Sequence, residues 1–355
     1  MSILHSSNCG WFISHSELIQ NCYHKVKVDE NQCSFKLNEN LFKIVSPFQD
    51  LNDKNLNRKR KRAPQTVEHT DLLQCIEHVR KVYNQLVCQL SHHFLPKTKD
   101  FSKSANRDAL ETSVKVYTES GQTAVLNIVG SNDEQAKLVE INRFTFIFPS
   151  NCKFYCKDIS AINDYLSNEQ YDLIVLDPPW WNKYIRRKKA KTNDGYQMMF
   201  NDDIKELPID SLLKRGGIVV VWCTNSKQHL DAIHSEFFPK WKVNFVARLF
   251  WLKVTQSGET VCKFSEPPGK QPFEQIIIGS INKQSELQLL NDKIVVSIPS
   301  ALHSHKPPLT EILKSHLPEN PKCLEIFARY LLPNWTSFGL EAIRFQHLSL
   351  YKNCD

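Results

Sequence analysis

From about residue 150 the chain alternates short, almost wholly apolar runs with longer amphipathic ones. That alternation limits the fold more than any other feature of its 355 residues. "YDLIVLDP" is apolar at successive positions, as a strand must be when helices cover both faces of its sheet. "KFYCKDI", "IVVVWCTN", "NFVARLFWLKV", "FEQIIIGSI", "DKIVVSIP" and "KCLEIF" also read as strands. Helical stretches fall between them. "DDIKELPIDSLLKRGG" is broken by Pro208 and stopped by Gly216 and Gly217; "SKQHLDAIHSEFF" opens on a serine cap; "PPLTEILKSHL" starts after prolines. This order predicts an α/β fold, a Rossmann-like doubly wound sheet, largely parallel, with helices on both faces.

The first part of the chain reads differently, as an α+β region. Leu72, Ile76, Val79, Tyr83, Leu86 and Leu90 follow the three-four spacing of one helix face over residues 71–91, with Thr70 or Asp71 as cap. Residues 51–66 and 96–110 are polar and read as exposed connections. Two parts are therefore expected: residues 1–110 with a basic linker and the amphipathic helix, and residues 111–355 as the α/β domain.

Several classes are excluded by composition. No window reaches 18 apolar residues, so no transmembrane helix and no membrane partner are expected. The start lacks a basic segment followed by an apolar run, which argues against a secretory signal. Eleven scattered cysteines with no CxxC pair read as reduced thiols, and no metal site is expected. The net charge of +7 is concentrated in "RKRKR" (Arg58 to Arg62) and "RRKKAK" (Arg186 to Lys191). The first reads as a nuclear import signal. The second, with Arg186, Arg187, Lys188 and Lys189, reads as a grip on nucleic-acid phosphates.

One strand runs straight into Asp177-Pro178-Pro179-Trp180-Trp181. Ligands of such sheets bind at the carboxyl ends of the strands. Asp177 supplies a carboxylate acceptor. Pro178 supplies a carbonyl without a competing N–H, and Trp180 a ring face. Two acceptors and a stacking surface suit a planar exocyclic amine. Alternatively the prolines end a strand and Trp180 plugs the core.

The motifs "CKDI", "DPPW", "VVWCTN", "FEQIIIG", "HSHKPP", "LEIFAR" and "PNWTSFG" occur in an order that resembles the MT-A70 family of S-adenosylmethionine-dependent adenine-N6 methyltransferases. Within it, "GWFISH", "RKRKR", "LHSHKPPLTEIL" and "FQH" look like the methyltransferase-like protein four branch. The resemblance covers roughly residues 150–350. It implies S-adenosylmethionine as cofactor and Asp177, Pro178, Pro179 and Trp180 as the catalytic turn. It also implies that Asp158 and Ile159 touch the cofactor adenine, that Lys306 pairs with its carboxylate, and that Glu325 and Arg329 flank its ribose. Phe327, Glu341 and Asp177 complete that set. On the substrate side it nominates Trp181, Trp222, Glu274 and His305. RNA is the implied partner, a 2′-O-methyladenosine of a small nuclear RNA in particular. DNA is the alternative. A nuclear or also cytoplasmic location and a monomer are expected.

The residues admit plainer roles as well. Lys306 could instead be surface charge, Asp158 a turn residue, Arg329 the partner of Glu325, and Trp222 core. Tyr330 stands where the family has an asparagine, and Leu340 where its pattern has Gly-Asn. Both changes predict weaker cofactor contacts. A silent nucleic-acid-binding member is therefore the third reading, beside RNA and DNA methylation.

Overall fold

The computed structural model describes residues 2–48, 67–90, 105–121, 127–181, 198–267, 269–282 and 285–354. Both basic runs, with Arg186, Arg187, Lys188 and Lys189, lie outside the described residues, as does the 51–66 linker.

In chain order the strands are β1 (Ile3–Ser7), β2 (Gly10–Ile13), β3 (Val26–Val28), β4 (Asn31–Cys33), β5 (Phe35–Leu37), β6 (Val129–Asn132), β7 (Lys137–Ile141), β8 (Phe144–Phe148) and β9 (Cys152–Tyr155). They continue as β10 (Tyr171–Leu176), β11 (Leu213–Cys223), β12 (Asn244–Lys253), β13 (Phe273–Ser280), β14 (Ile294–Ser297), β15 (Cys323–Ile326), β16 (Trp335–Phe338) and β17 (Tyr351–Asn353). Eleven of them form one sheet in the order β1-β2-β14-β12-β13-β11-β10-β15-β16-β9-β6.

The block β9-β16-β15-β10-β11 is parallel throughout, as the apolar strand runs predict. Beyond it the sheet is mixed. β13 runs antiparallel to both β11 and β12, and the edge strands β1 and β6 are antiparallel to their neighbours. β12, β14 and β2 are again parallel to one another, so the sheet is largely parallel, with β13, β1 and β6 reversed. Leu173, Ile174 and Leu176 of β10 are fully buried, each stabilising the sheet by about 2 kcal/mol.

The expected helix stop at Gly216 and Gly217 is a strand. β11 already starts at Leu213, and Gly216 takes φ +86 inside it. There the pairing with β10 jumps from Tyr171↔Leu213 to Leu173↔Ile218. A positive φ favours glycine, so the pair marks an irregularity in the strand rather than a cap. The expected serine cap is placed at Ser226, but its hydroxyl makes no capping bond, and the helix Lys227–Ala232 passes into a π-helical turn, Ile233–Phe237.

The early residues do not stand apart as a unit ending at residue 110. β1 and β2 extend the main sheet through the β2–β14 pair, β5 pairs with β17, and β3 pairs with β7. The predicted amphipathic helix is α2 (Val67–Gln89), preceded by α1 (His15–Gln20). Its buried face, Ile76, Val79, Tyr83 and Leu86, packs on Phe12, Phe250, Leu252 and Ile294 of the sheet. A further helix, α3 (Ala105–Gly121), forms where the polar composition suggests a connection.

Candidate active site

β10 is where the path of the chain divides. β11 follows it on one side, β15 returns on the other, and β9, which precedes it, lies beyond β16. A crevice opens at the carboxyl ends of strands at such a point. Asp177 is the first residue after β10, at the rim of a cavity of about 1240 Å³ that also takes in Pro178 to Trp181, Glu274, Lys253, Lys306 and Arg329.

Four charges alternate across this cavity. Lys253 at the end of β12 bonds to Glu274 of β13. Glu274 Oε2 accepts from Lys306 Nζ at 2.6 Å, and Lys306 Nζ lies 3.4 Å from Asp177 Oδ1. Lys306 is only 12% exposed, so this is no surface charge. Its ammonium also sits 5.4 Å from the Trp222 ring and 5.9 Å from that of Trp251. Burial lowers the Lys306 pKa, but the two carboxylates raise it further, and it remains charged. Burial lifts Glu274, while Lys253 and Lys306 together hold it well below the usual carboxylate range. Asp177 shifts upward: burial raises it, Lys306 opposes, and Glu274 adds to the rise.

The turn Asp177–Trp181 is braced by its own backbone. Trp180 N–H donates to the Pro178 carbonyl at 2.8 Å, and Met199 N–H to the Pro179 carbonyl at 2.9 Å. The Pro178 carbonyl thus already holds one bond and offers its remaining lone pair. Trp180 is nearly buried, with Nε1 donating to the Trp222 carbonyl at 3.0 Å and its ring packed near Phe237 and His229. It is a wall of the site rather than an open stacking face, because its ring is taken up by the core. Trp222 is also core. It is buried edge-on to Trp251 and underlies Lys306 instead of lining the large cavity. Trp181 does line that cavity.

The residues implied for the cofactor gather at the carboxyl ends of adjacent parallel strands: Asp158 and Ile159 after β9, Phe327 and Arg329 after β15, Glu341 after β16. Asp158 Oδ1 accepts from Ser160 N at 3.0 Å, so it caps its own turn as well. Phe327 takes φ +65, turning the chain at the end of β15. Arg329 pairs with Glu341 at 3.0 Å rather than with Glu325, and Glu341 bonds Arg344 through its other oxygen. Glu325 lies buried within β15. Burial, then Asp177, push its carboxyl up to about 8 against the pull of Arg329.

His305 is not an open substrate contact. It is 3% exposed, 4.6 Å from the His15 ring and 5.5 Å from that of Tyr330. Burial drives its pKa down to about 3. With it, the early residues hold the loop that carries Lys306: Ala301 N–H donates to Leu41 O at 2.7 Å, and Ser2 Oγ to Glu311 at 2.6 Å. Tyr330, the departure from the family pattern, donates to the Lys306 carbonyl at 3.3 Å and so reinforces that loop. Leu340 is 48% exposed.

Sequence reasoning missed Lys253 and His15. Lys253 ends a β-strand run, and only the register Trp251↔Glu274 brings it beside Glu274. The cavity suits a polar ligand carrying a carboxylate, for which buried Lys306 supplies the cation; Glu325, implied for the ribose, is buried in β15 and is not among the residues that line it. Gln271 Oε1, Gln275 Oε1 and His305 Nδ1 are buried atoms of cavity-lining residues with no hydrogen-bond partner among the described residues.

This sheet, with an acidic-proline turn at its dividing strand and a buried lysine beside it, places the protein among the Rossmann-like α/β methyltransferase folds. Within that class the chain carries an MT-A70 domain: the model of that family matches residues 171–341. It is 35% identical over 235 residues to the mouse N(6)-adenine-specific methyltransferase METTL4, covering 63% of this chain and 49% of the relative. It is 30% identical over 220 residues to a DNA N6-methyl methyltransferase of Caenorhabditis elegans, covering 61% and 58%. It is 33% identical over 193 residues to the N6-methyladenosine RNA methyltransferase MTA1 of Pyricularia oryzae, covering 52% and 50%. The chain thus spans about half the length of these curated relatives.

Proposed function

We propose that this chain transfers a methyl group from S-adenosylmethionine to the N6 amine of adenine in RNA. The acceptor is the 2′-O-methyladenosine of a small nuclear RNA such as U2, and the product N6,2′-O-dimethyladenosine. The observation that carries the reading is Asp177 at the carboxyl end of β10, with its carboxylate 3.4 Å from buried Lys306. The relatives' names support adenine N6 as the acceptor, and the name of the Pyricularia oryzae relative supports an RNA target.

S-adenosylmethionine, when bound, supplies the electrophilic methyl group. Lys306, Glu325, Phe327 and Arg329, with Asp158 and Ile159, would hold it. Asp177 and the free lone pair of the Pro178 carbonyl accept the two N–H groups of the adenine amine. Those bonds draw the nitrogen toward tetrahedral geometry and aim its lone pair. Lys306 keeps Asp177 ionised in spite of its burial, which an acceptor requires. Trp180 walls the turn and keeps water out. No strong base is needed, because the methylated nitrogen is acidic and releases its proton to solvent. Catalysis is positioning and electrostatics. An unpaired adenine also avoids the cost of flipping from a duplex. "RKRKR" would serve nuclear import.

The test is methyl transfer to matched RNA and DNA oligonucleotides, with and without 2′-O-methylation, beside Asp177→Ala. Activity selective for 2′-O-methylated RNA and absent in the variant is expected. DNA selectivity would support the second reading, which the name of the nematode relative favours. Absence of turnover and of cofactor binding would overturn both.

A further inference from the structure

Phe200 is 59% exposed, and it stands beside the catalytic turn. Single exposed hydrophobic residues are ordinary on a protein surface. Phe200 differs in how it is held. Its ring lies 6.0 Å from that of Trp181 at an interplanar angle of 21°, and Trp181 lines the large cavity. The two rings therefore make a nearly parallel shelf that runs from the cavity to solvent.

The backbone fixes this shelf to the turn itself. Trp181 N–H donates to the Met199 carbonyl at 3.1 Å, and Met199 N–H to the Pro179 carbonyl, so Trp180 and Met199 form a parallel bridge. On the other side Phe200 opens the helix Asn201–Lys205: its N–H donates to Asp203 Oδ2 at 3.2 Å and its carbonyl accepts from Asp203 N and Ile204 N. An aromatic residue whose backbone is held on both sides, and whose ring is more than half open to water, keeps a hydrophobic face available beside the turn. Every nucleobase has a π-face that such a ring can take, whatever its sequence.

We propose that Trp181 and Phe200 form a stacking subsite for the nucleobase next to the target adenine in single-stranded RNA. This rests on the methyltransferase reading of the adjoining turn. The shelf would hold the neighbouring base while the target enters the cavity, so Phe200 affects substrate affinity and not the chemical step.

Two short RNA oligonucleotides with a single adenine serve as probes. One carries 2-aminopurine next to that adenine; the other carries it five nucleotides away. The wild-type protein should quench the first probe far more than the second. Phe200→Ala should abolish the difference and weaken binding roughly tenfold. It should raise KM by the same factor, with kcat and cofactor affinity unchanged. Phe200→Trp should restore all of these. Equal quenching of both probes, or wild-type binding by Phe200→Ala, would overturn the subsite. Phe200-dependent quenching without methyl transfer would leave the subsite standing and sink the methyltransferase reading. Methyl transfer with an indifferent Phe200→Ala would do the reverse.

Discussion

Replacing Lys253 by methionine keeps the length of the side chain and removes its charge. Lys253 and Glu274 are 24% and 23% exposed, so their pair is largely withdrawn from water. Breaking a fully buried pair costs about 3–5 kcal/mol. Here a quarter of each side chain stays open and Lys306 still holds Glu274 at 2.6 Å, so the expected loss of stability is about 1–2 kcal/mol. The larger effect is chemical. Glu274, stripped of one partner, claims more of Lys306, which already lies closer to it than to Asp177. Asp177 then loses counter-charge while staying buried, and its pKa rises further. A loss of about 1–2 kcal/mol in the hold on the adenine amine lowers kcat/KM by roughly five- to thirtyfold. The assay is the pH dependence of methyl transfer, with a thermal melt alongside. The acid limb should move to higher pH in Lys253→Met. If the melting temperature falls but the acid limb stays in place, Lys253 is structural and the charge-chain reasoning fails.

Lys306→Met takes the shared cation from between Asp177 and Glu274 and leaves Glu274 with Lys253 alone; we expect more than a hundredfold weaker S-adenosylmethionine binding by calorimetry, and retention of affinity would refute its role. Glu325, pushed up to about 8, holds a proton in the folded state that the unfolded chain releases at lower pH. Its stabilisation is therefore full in acid and fades as pH rises toward 8, by up to about 1.4 kcal/mol per unit. Glu325→Gln should remove that fall in melts taken from pH 5 to 9, and parallel curves for the two proteins would contradict it. His305 titrates near 3, depressed by burial, and His15 is lowered by burial and then by His305. Stability from this pair is present above about pH 6.5 and falls as pH drops, by up to about 1.4 kcal/mol per unit for each ring. His305→Phe should flatten the melting temperature between pH 7 and 5, and an unchanged slope would count against it.

The parallel block was legible because β10, β11 and β15 are buried on both faces, and burial writes itself as uninterrupted apolar residues. So was the placement of Asp177, which follows from a strand ending in two prolines. The reversal at β13 was not legible, since antiparallel and parallel central strands have the same composition. Gly216 misled for a related reason: a glycine with positive φ serves a helix end and a strand irregularity alike. The aromatic residues were the hardest to place. Trp180 and Trp222 have the ring of a stacking residue and the bulk of a core residue, and only packing against Phe237 and Trp251 shows them to be wall and floor. Lys253 and His15 were invisible because their importance comes from partners far away in the chain.

Early and late parts of the chain meet twice: Gly10 of β2 beside Ile294 of β14 within the main sheet, and Phe35 of β5 beside Asn353 of β17 in a separate two-stranded sheet. During synthesis Trp11, Phe12 and Ile13 emerge well before β14, and their burial waits for it to leave the ribosome. A nascent chain long enough to make Asp177 has neither Lys306 nor Arg329 to set its charge. Contacts of such long sequence separation fold slowly and leave apolar strands uncovered meanwhile. The catalytic pocket is therefore a late product of folding, and a chain truncated or stalled before residue 294 yields a sticky sheet fragment rather than a weak enzyme.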